Sequence, residues 1–268
     1  FRCRPNVRSQ QFLEESMFSE ETDYEEGVEQ ASPLDAFIDN GWITGVLHRV
    51  KTGKEATVYC CEADPSRSDD LFAAKVYHER ERRNFKNDSM YREGRIILDR
   101  RMRKAFEKKS RAGRAFQAGS WQHFEYDALE LLHGAGADVP RPVATASGAI
   151  LMEYVGDREG PAAPLNTVVL EPDEARRLFG QVMRNVELWL SLDRIHADLS
   201  PYNILYWNGG MKVIDFPQTI DPRFNPNARD LLFRDLDNVC RYFTRFGVQA
   251  DPRRITDRLW GRFERSEL

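Results

Sequence analysis

Apolar and polar positions along this chain change period several times, and each change marks an element. Ser32-Pro33-Leu34-Asp35 reads as the capped start of a short helix carrying Leu34, Phe37 and Ile38. Val46 to Val50 and Thr57 to Cys61 then follow the two-residue alternation of strands, with a turn at Thr52-Gly53-Lys54 between them. After the loop Asp64 to Asp70, the run Leu71-Phe72-Ala73-Ala74-Lys75-Val76-Tyr77 predicts a third strand. A helix is predicted from near Ser120 to Gly134–Gly136, and residues 149–155 are strand-like. The Gly/Pro-rich stretch Gly156 to Pro164 reads as a boundary between two lobes. From about Pro172 the period becomes helical, with Ala175, Leu178, Phe179, Val182, Val186 and Leu190 on one stripe. Ile204 to Tyr206 and Met211 to Ile214, around Asn208-Gly209-Gly210, predict a hairpin. The last forty residues look helical, and no internal repeat is visible.

Charge changes this picture at two places. Residues 1–35 hold three Arg against nine Asp/Glu with little apolar content, so residues 1–32 are expected to form an acidic mobile arm. Residues 80–114 hold fourteen Lys/Arg against five Asp/Glu, which suits an acidic partner or nucleic acid, or simply a solvated helix face and a flexible loop. The 41% hydrophobic and 31% charged fractions are those of a soluble globular protein, and no run approaches a membrane span. The first residues lack a signal-peptide core, and the absent initiator Met suggests a longer reading frame or processing. Four cysteines without C-x-x-C spacing suit a reducing cytoplasm, and Cys60 and Cys61, adjacent in a strand, should face opposite ways.

The strongest chemical signal is His196-Ala197-Asp198-Leu199-Ser200-Pro201-Tyr202-Asn203, followed by the hairpin and by Ile214-Asp215-Phe216. Phosphoryl transfer is mostly positioning and charge neutralisation, and this layout supplies both. Asp198 would orient or accept the proton of an attacking hydroxyl. Asn203 and Asp215 would offer the hard oxygen ligands that Mg2+ prefers. Lys75, flanked by apolar neighbours, needs an anion, and the α- and β-phosphates of ATP fit. Its own carboxylate partner is expected on the helix that follows. Glu125 shares a stripe with Trp121, Ala128 and Leu132, whereas Glu130 points elsewhere by helical phase.

Two further segments depend on their context. Thr52-Gly53-Lys54-Glu55-Ala56-Thr57-Val58-Tyr59 stands where a phosphate-covering loop would, with Lys54 and Val58 as candidate nucleotide contacts. With one glycine it fails G-x-G-x-x-G, and an ordinary hairpin turn has the same composition. Leu151-Met152-Glu153-Tyr154-Val155 would be the inter-lobe strand, the backbone of Glu153 and Val155 meeting adenine, although core packing explains its side chains equally well.

Taken together these strings resemble the RIO family of atypical protein kinases over roughly residues 33–245. They are T-G-K-E-A-T-V-Y at 52–59, A-A-K-V-Y at 73–77, W-x-x-x-E-Y at 121–126 and V-P-R-P at 139–142. L-M-E-Y-V-G at 151–156, P-A-A-P-L at 161–165, H-A-D-L-S-P-Y-N at 196–203 and I-D-F-P-Q at 214–218 complete them. The resemblance implies an α+β, bilobal protein-kinase-like fold. Residues 33–156 would form a β-sheet lobe with one main helix, including a basic flexible loop at about 84–115. Residues 157–268 would form a reduced, mainly helical lobe. It implies an ATP- and Mg2+-dependent serine/threonine kinase, with Mn2+ as an alternative ion and Lys75, Asp198 and Asp215 in catalytic roles. In some members the aspartate matching Asp215 is itself phosphorylated, so an ATPase switch is a further expectation. A role on RNA or a ribosomal particle would fall to the basic loop.

The departures are specific. Ala197 stands where the family usually has Gly, and no Arg precedes Asp198. No DFG glycine or A-P-E is present, and only about fifty residues follow Gln218, so peptide-docking helices are expected to be missing. The acidic start is too short for the winged helix of one RIO subgroup. P-L-D-A-F-I-D-N-G-W-I before the first strand looks more like bacterial RIO-type proteins. Two other readings share the core: a small-molecule phosphotransferase resembling aminoglycoside or choline kinases, and a nucleotide-gated assembly factor that grips RNA or an acidic protein.

Overall fold

The computed structural model describes residues 32–78 and 111–268, with side chains from Gln122 onward in the second segment. Most of the basic stretch, and the acidic start, lie outside the described residues. Ser32–Leu268 make one compact unit.

Strands β1 (Ile43–Thr52), β2 (Ala56–Ala63) and β3 (Leu71–Tyr77) run as an antiparallel meander. β5 (Ala149–Glu153) lies beside β3 and β4 (Pro142–Ala146) beside β5, giving the order β1-β2-β3-β5-β4. The Pro-Arg-Pro run gave no strand signal, yet Pro142 opens β4. Edge strands tolerate proline because one side of the backbone needs no ladder partner.

The two-residue strand period sorts side chains onto two cores. Cys61, Phe72, Ala74 and Leu151 pack on one face with Phe37 from the short helix α1 (Asp35–Asp39). Of the residues expected to anchor α1, Phe37 is buried, while Ile38 turns outward at 42% exposure. Cys60, Ala73, Ile150 and Met152 lie on the other face, as the period requires for Cys60 and Cys61, and continue into the core of the helical half. All three described cysteines are free and buried.

Helix α2 (Arg111–Gly134) begins well before Ser120, so residues 111–115, assigned to the basic loop, are helical instead. Glycines at 113 and 119 do not interrupt it. Single glycines cost a helix only about 1 kcal/mol, which good helix formers around them outweigh.

The helical half starts with a two-residue strand, β6 (Ala163–Pro164), and then α3 (Pro172–Ser191). Ala175, Leu178, Val182, Val186 and Leu190 of the predicted stripe are buried, with Trp189 added to them. β7 (Ile204–Trp207) and β8 (Gly210–Val213) form the expected hairpin, whose turn residues Asn208 and Gly209 both take positive φ, at 47° and 72°. That is the backbone of a type I′ turn, which matches strand twist. Helices α4 (Ala228–Thr244) and α5 (Pro252–Glu264) close the fold.

Candidate phosphotransfer site

Lys75 lies on the inner face of β3, opposite Val58 of β2 and Ile150 of β5 in the ladder. Its ammonium donates to both oxygens of Glu125 at 2.7 and 2.8 Å, and to Asp215 Oδ1 at 2.7 Å. Glu125 reaches it because α2 packs the stripe Glu125, Ala128 and Leu132 inward, leaving Glu130 exposed. The phenol of Tyr77, two residues beyond Lys75, donates to Glu125 Oε2. Burial alone would pull Lys75 below its ordinary pKa, but Asp215 and Glu125 outweigh it and hold the ammonium above that value. Lys75 in turn holds Asp215 below the usual carboxylate range, against the effect of burial.

Asp215 sits at the end of the hairpin in the left-handed region, at φ 73°. Ile214 N–H donates to the Asn203 carbonyl at 2.9 Å, which stitches the two segments side by side. Asn203 Nδ2 donates to the Asp198 carbonyl at 3.0 Å. The amide nitrogen is thus committed, and the amide oxygen is the donor atom Asn203 has to offer beside the Asp215 carboxylate. A carboxylate and an amide oxygen together suit a hard cation such as Mg2+. Among the described residues no group of three or more His, Cys, Asp or Glu is placed to hold a metal ion.

Asp198 reaches solvent, yet the walls around it strip enough water to lift its pKa, and the negative charge of Asp215 adds to the effect. His196 supports the loop from beneath. Its Nε2 stands 3.2 Å from the Ile214 carbonyl and its Nδ1 accepts the Asp198 N–H at 3.3 Å. Those two partners require a neutral ring protonated on Nε2. Complete burial pushes His196 down to about 4, in keeping with that form.

The remaining sequence-predicted positions lie on β2, the loop before it, the end of β5 and the segment after it. The loop before β2 is held to the end of β3 by His78, whose N–H donates to Glu55 C=O at 2.8 Å and whose ring contacts Lys54 C=O at 3.1 Å. The Lys54 side chain is exposed and is not drawn into the Lys75 cluster. Glu55 is half-buried; desolvation first, then the charge of Asp215, raises it to about 7. At the other wall, Val155 C=O accepts from Ala162 N–H at 2.8 Å. The Glu153 carboxylate accepts from Arg141 N–H at 3.0 Å and from Lys212 of β8 at 3.1 Å, joining the sheet to the hairpin.

Sequence reasoning missed Asp235. This α4 carboxylate is 2% exposed and accepts the N–H groups of Ala197 and Leu199 at 2.7 and 2.9 Å. Burial raises it to about 8 despite those two donors. A signal existed: Asp235 falls between Leu231, Leu232, Leu236 and Val239 on an apolar stripe, where a carboxylate needs a buried donor.

The family model for the RIO domain matches residues 57–255. Serine/threonine-protein kinase rio1 of Schizosaccharomyces pombe is 30% identical over 213 residues, covering 79% of this chain and 40% of the yeast protein. RIO-type serine/threonine-protein kinase Rio1 of Haloferax volcanii is 29% identical over 252 residues, 94% of this chain and 78% of the archaeal one. The chain therefore spans less than half of the yeast relative and most of the archaeal one. Among solved structures, the Rio2 kinase-ADP/Mg2+-phosphoaspartate complex from Chaetomium thermophilum shares the fold with a TM-score of 0.60 at 20% identity, over 84% of this chain and 64% of that one.

Proposed function

Because the chain belongs to the RIO family, we propose that it is an ATP- and Mg2+-dependent serine/threonine kinase that transfers the γ-phosphoryl group to a serine hydroxyl, on itself or on a protein partner. The observation that carries this reading is the contact of Lys75 with both Glu125 and Asp215 beside Asn203 and Asp198. Glu125 fixes the lysine where α- and β-phosphates would meet it. The Val155 N–H and Glu153 C=O would hydrogen-bond the adenine edge, Val58 and Ala73 would pack on its face, and Lys54 would meet the phosphates. Bound at Asn203 and Asp215, Mg2+ (or Mn2+) would neutralise phosphate charge. Asp198, whose raised pKa makes it a better proton acceptor than a free aspartate, orients the attacking hydroxyl.

A second reading has one observation in its favour. The C. thermophilum Rio2 complex contains phosphoaspartate with ADP and Mg2+. Asp215 is the residue here that would take that role, in an ATPase cycle. The basic stretch is proposed to contact RNA or a ribosomal particle on charge alone, and the boundary between the halves is proposed at Gly156. No described helix is long and apolar enough to cross a membrane.

Incubation with γ-labelled ATP and Mg2+ tests the proposal. Hydroxylamine-resistant label on serine supports kinase action, and hydroxylamine-labile label with steady phosphate release supports the ATPase cycle. Undiminished transfer by Asp198→Ala would refute the role given to Asp198.

A further inference from the structure

Three side chains on α4 converge on one tripeptide of the Asp198 loop. Asp235 takes the N–H groups of Ala197 and Leu199. Its neighbour Arg234 donates from the guanidinium to the Ala197 carbonyl. Asn238, one turn further along, donates to the Leu199 carbonyl at 3.2 Å. Between them, Asp198 gives its N–H to His196 and receives Asn203 at its carbonyl. Every backbone polar group of residues 197–199 is therefore held by a side chain, where loops ordinarily rely on backbone or water.

The reason for so complete a grip lies in Ala197. It is fully buried and stands at φ 63°, a region where Cβ crowds the following carbonyl. Such a conformation persists only when its surroundings over-determine it. Asp235 restrains the N–H groups of Ala197 and Leu199, and His196 that of Asp198. The peptide that follows the strained residue is settled by His196 at its N–H and Arg234 at its carbonyl, and Asn238 fastens the carbonyl of the peptide after Leu199.

We infer that Arg234 and Asn238 are positioning residues for phosphoryl transfer: by fastening the carbonyls of Ala197 and Leu199 they hold Ala197 left-handed and so aim the Asp198 side chain into the cleft. The catalytic half of this inference rests on the kinase reading; the mechanical half does not. Arg234 bears the larger share, because its contact is made at the strained residue itself. Glycine at position 197 would adopt the same backbone without crowding, and the arginine would matter less.

The test compares Arg234→Met in the natural chain and in an Ala197→Gly background. Amide exchange of the segment 195–204 should quicken roughly tenfold or more in Arg234→Met as the loop opens locally. In the glycine background the same substitution should change exchange by less than about threefold, because the strain has gone. Turnover should follow, with kcat falling about 10- to 100-fold and KM for ATP moving less than about twofold. Arg234→Lys, which keeps a cation and a donor, should lie between and serves if Arg234→Met fails to fold. Unchanged exchange, or an equal loss in both backgrounds, overturns the inference, as does a KM effect with kcat intact. If the natural chain shows no phosphate transfer or release, the kinase reading fails, while the exchange comparison still decides the clamp.

Discussion

Lys75 and Asp215 meet at 2.7 Å although 140 residues separate them. The contact draws β3 of the sheet half onto the loop that ends the hairpin of the helical half, and Glu125 completes it from α2. Three segments far apart in the chain thus share one charge.

Removing that charge should be costly. Lys75→Met leaves Glu125, whose side chain is 2% exposed, without its cation. Breaking a buried pair this way costs about 3–5 kcal/mol. The lower end is expected, because the Asp215 side chain is 43% exposed and partly screened. Denaturant melts measure it, and phosphate transfer should fall at least about 100-fold.

The Asp215 pKa sets a pH window. Lys75 holds it below the ordinary aspartate value of 3.8. Its contribution to stability is therefore fully present above that value and is lost as pH falls through the lower, folded value. Acid unfolding curves of the natural chain and Asp215→Asn should converge below about pH 4.

Asp235 has the opposite sign. Folding raises it from 3.8 to about 8, so the folded chain binds the proton more tightly. Between those values stability should decline as pH rises, and should level off above the upper one. Asp235→Asn should remove this slope in unfolding measurements at several pH values. It should also lower kcat, since one oxygen acceptor under the Asp198 loop becomes a donor.

Tyr77→Phe isolates the phenol's part in the lysine site. Glu125 keeps both contacts with Lys75, so the loss should be about 1 kcal/mol of stability with turnover within about tenfold of the natural chain. A loss as large as that of Glu125→Ala would show that the phenol, rather than the ammonium, holds the carboxylate.

Gly156→Ala tests the backbone where the sheet gives way to the helices. Gly156 has φ +144°, and a Cβ there would stand 2.5 Å from the Gly160 carbonyl oxygen. The neighbour is backbone and cannot swing away. A loss of about 2 kcal/mol or more is expected in thermal melts.

Much of this protein was legible from its residues alone. Strand β3, helix α3 and the β7–β8 hairpin follow from local periodicity and turn chemistry, because each satisfies its own backbone and shows one apolar face. Lys75, Glu125, Asp198, Asn203 and Asp215 could be singled out because charged and amide groups at those spacings need partners. What the chain did not announce was how its backbone is held. β4 carries no local strand signal because an edge strand can open on proline, and α2 starts nine residues before the predicted Ser120. Arg234 and Asn238 look like ordinary polar positions on an amphipathic helix, and Asp235, though it falls on the apolar stripe, does not name its partner. Their partners are backbone groups 36 to 39 residues away, which carry no side-chain signature. Local sequence determined which groups need a counterpart, and only the packing of α4 beneath the Asp198 loop decided which backbone atoms they meet.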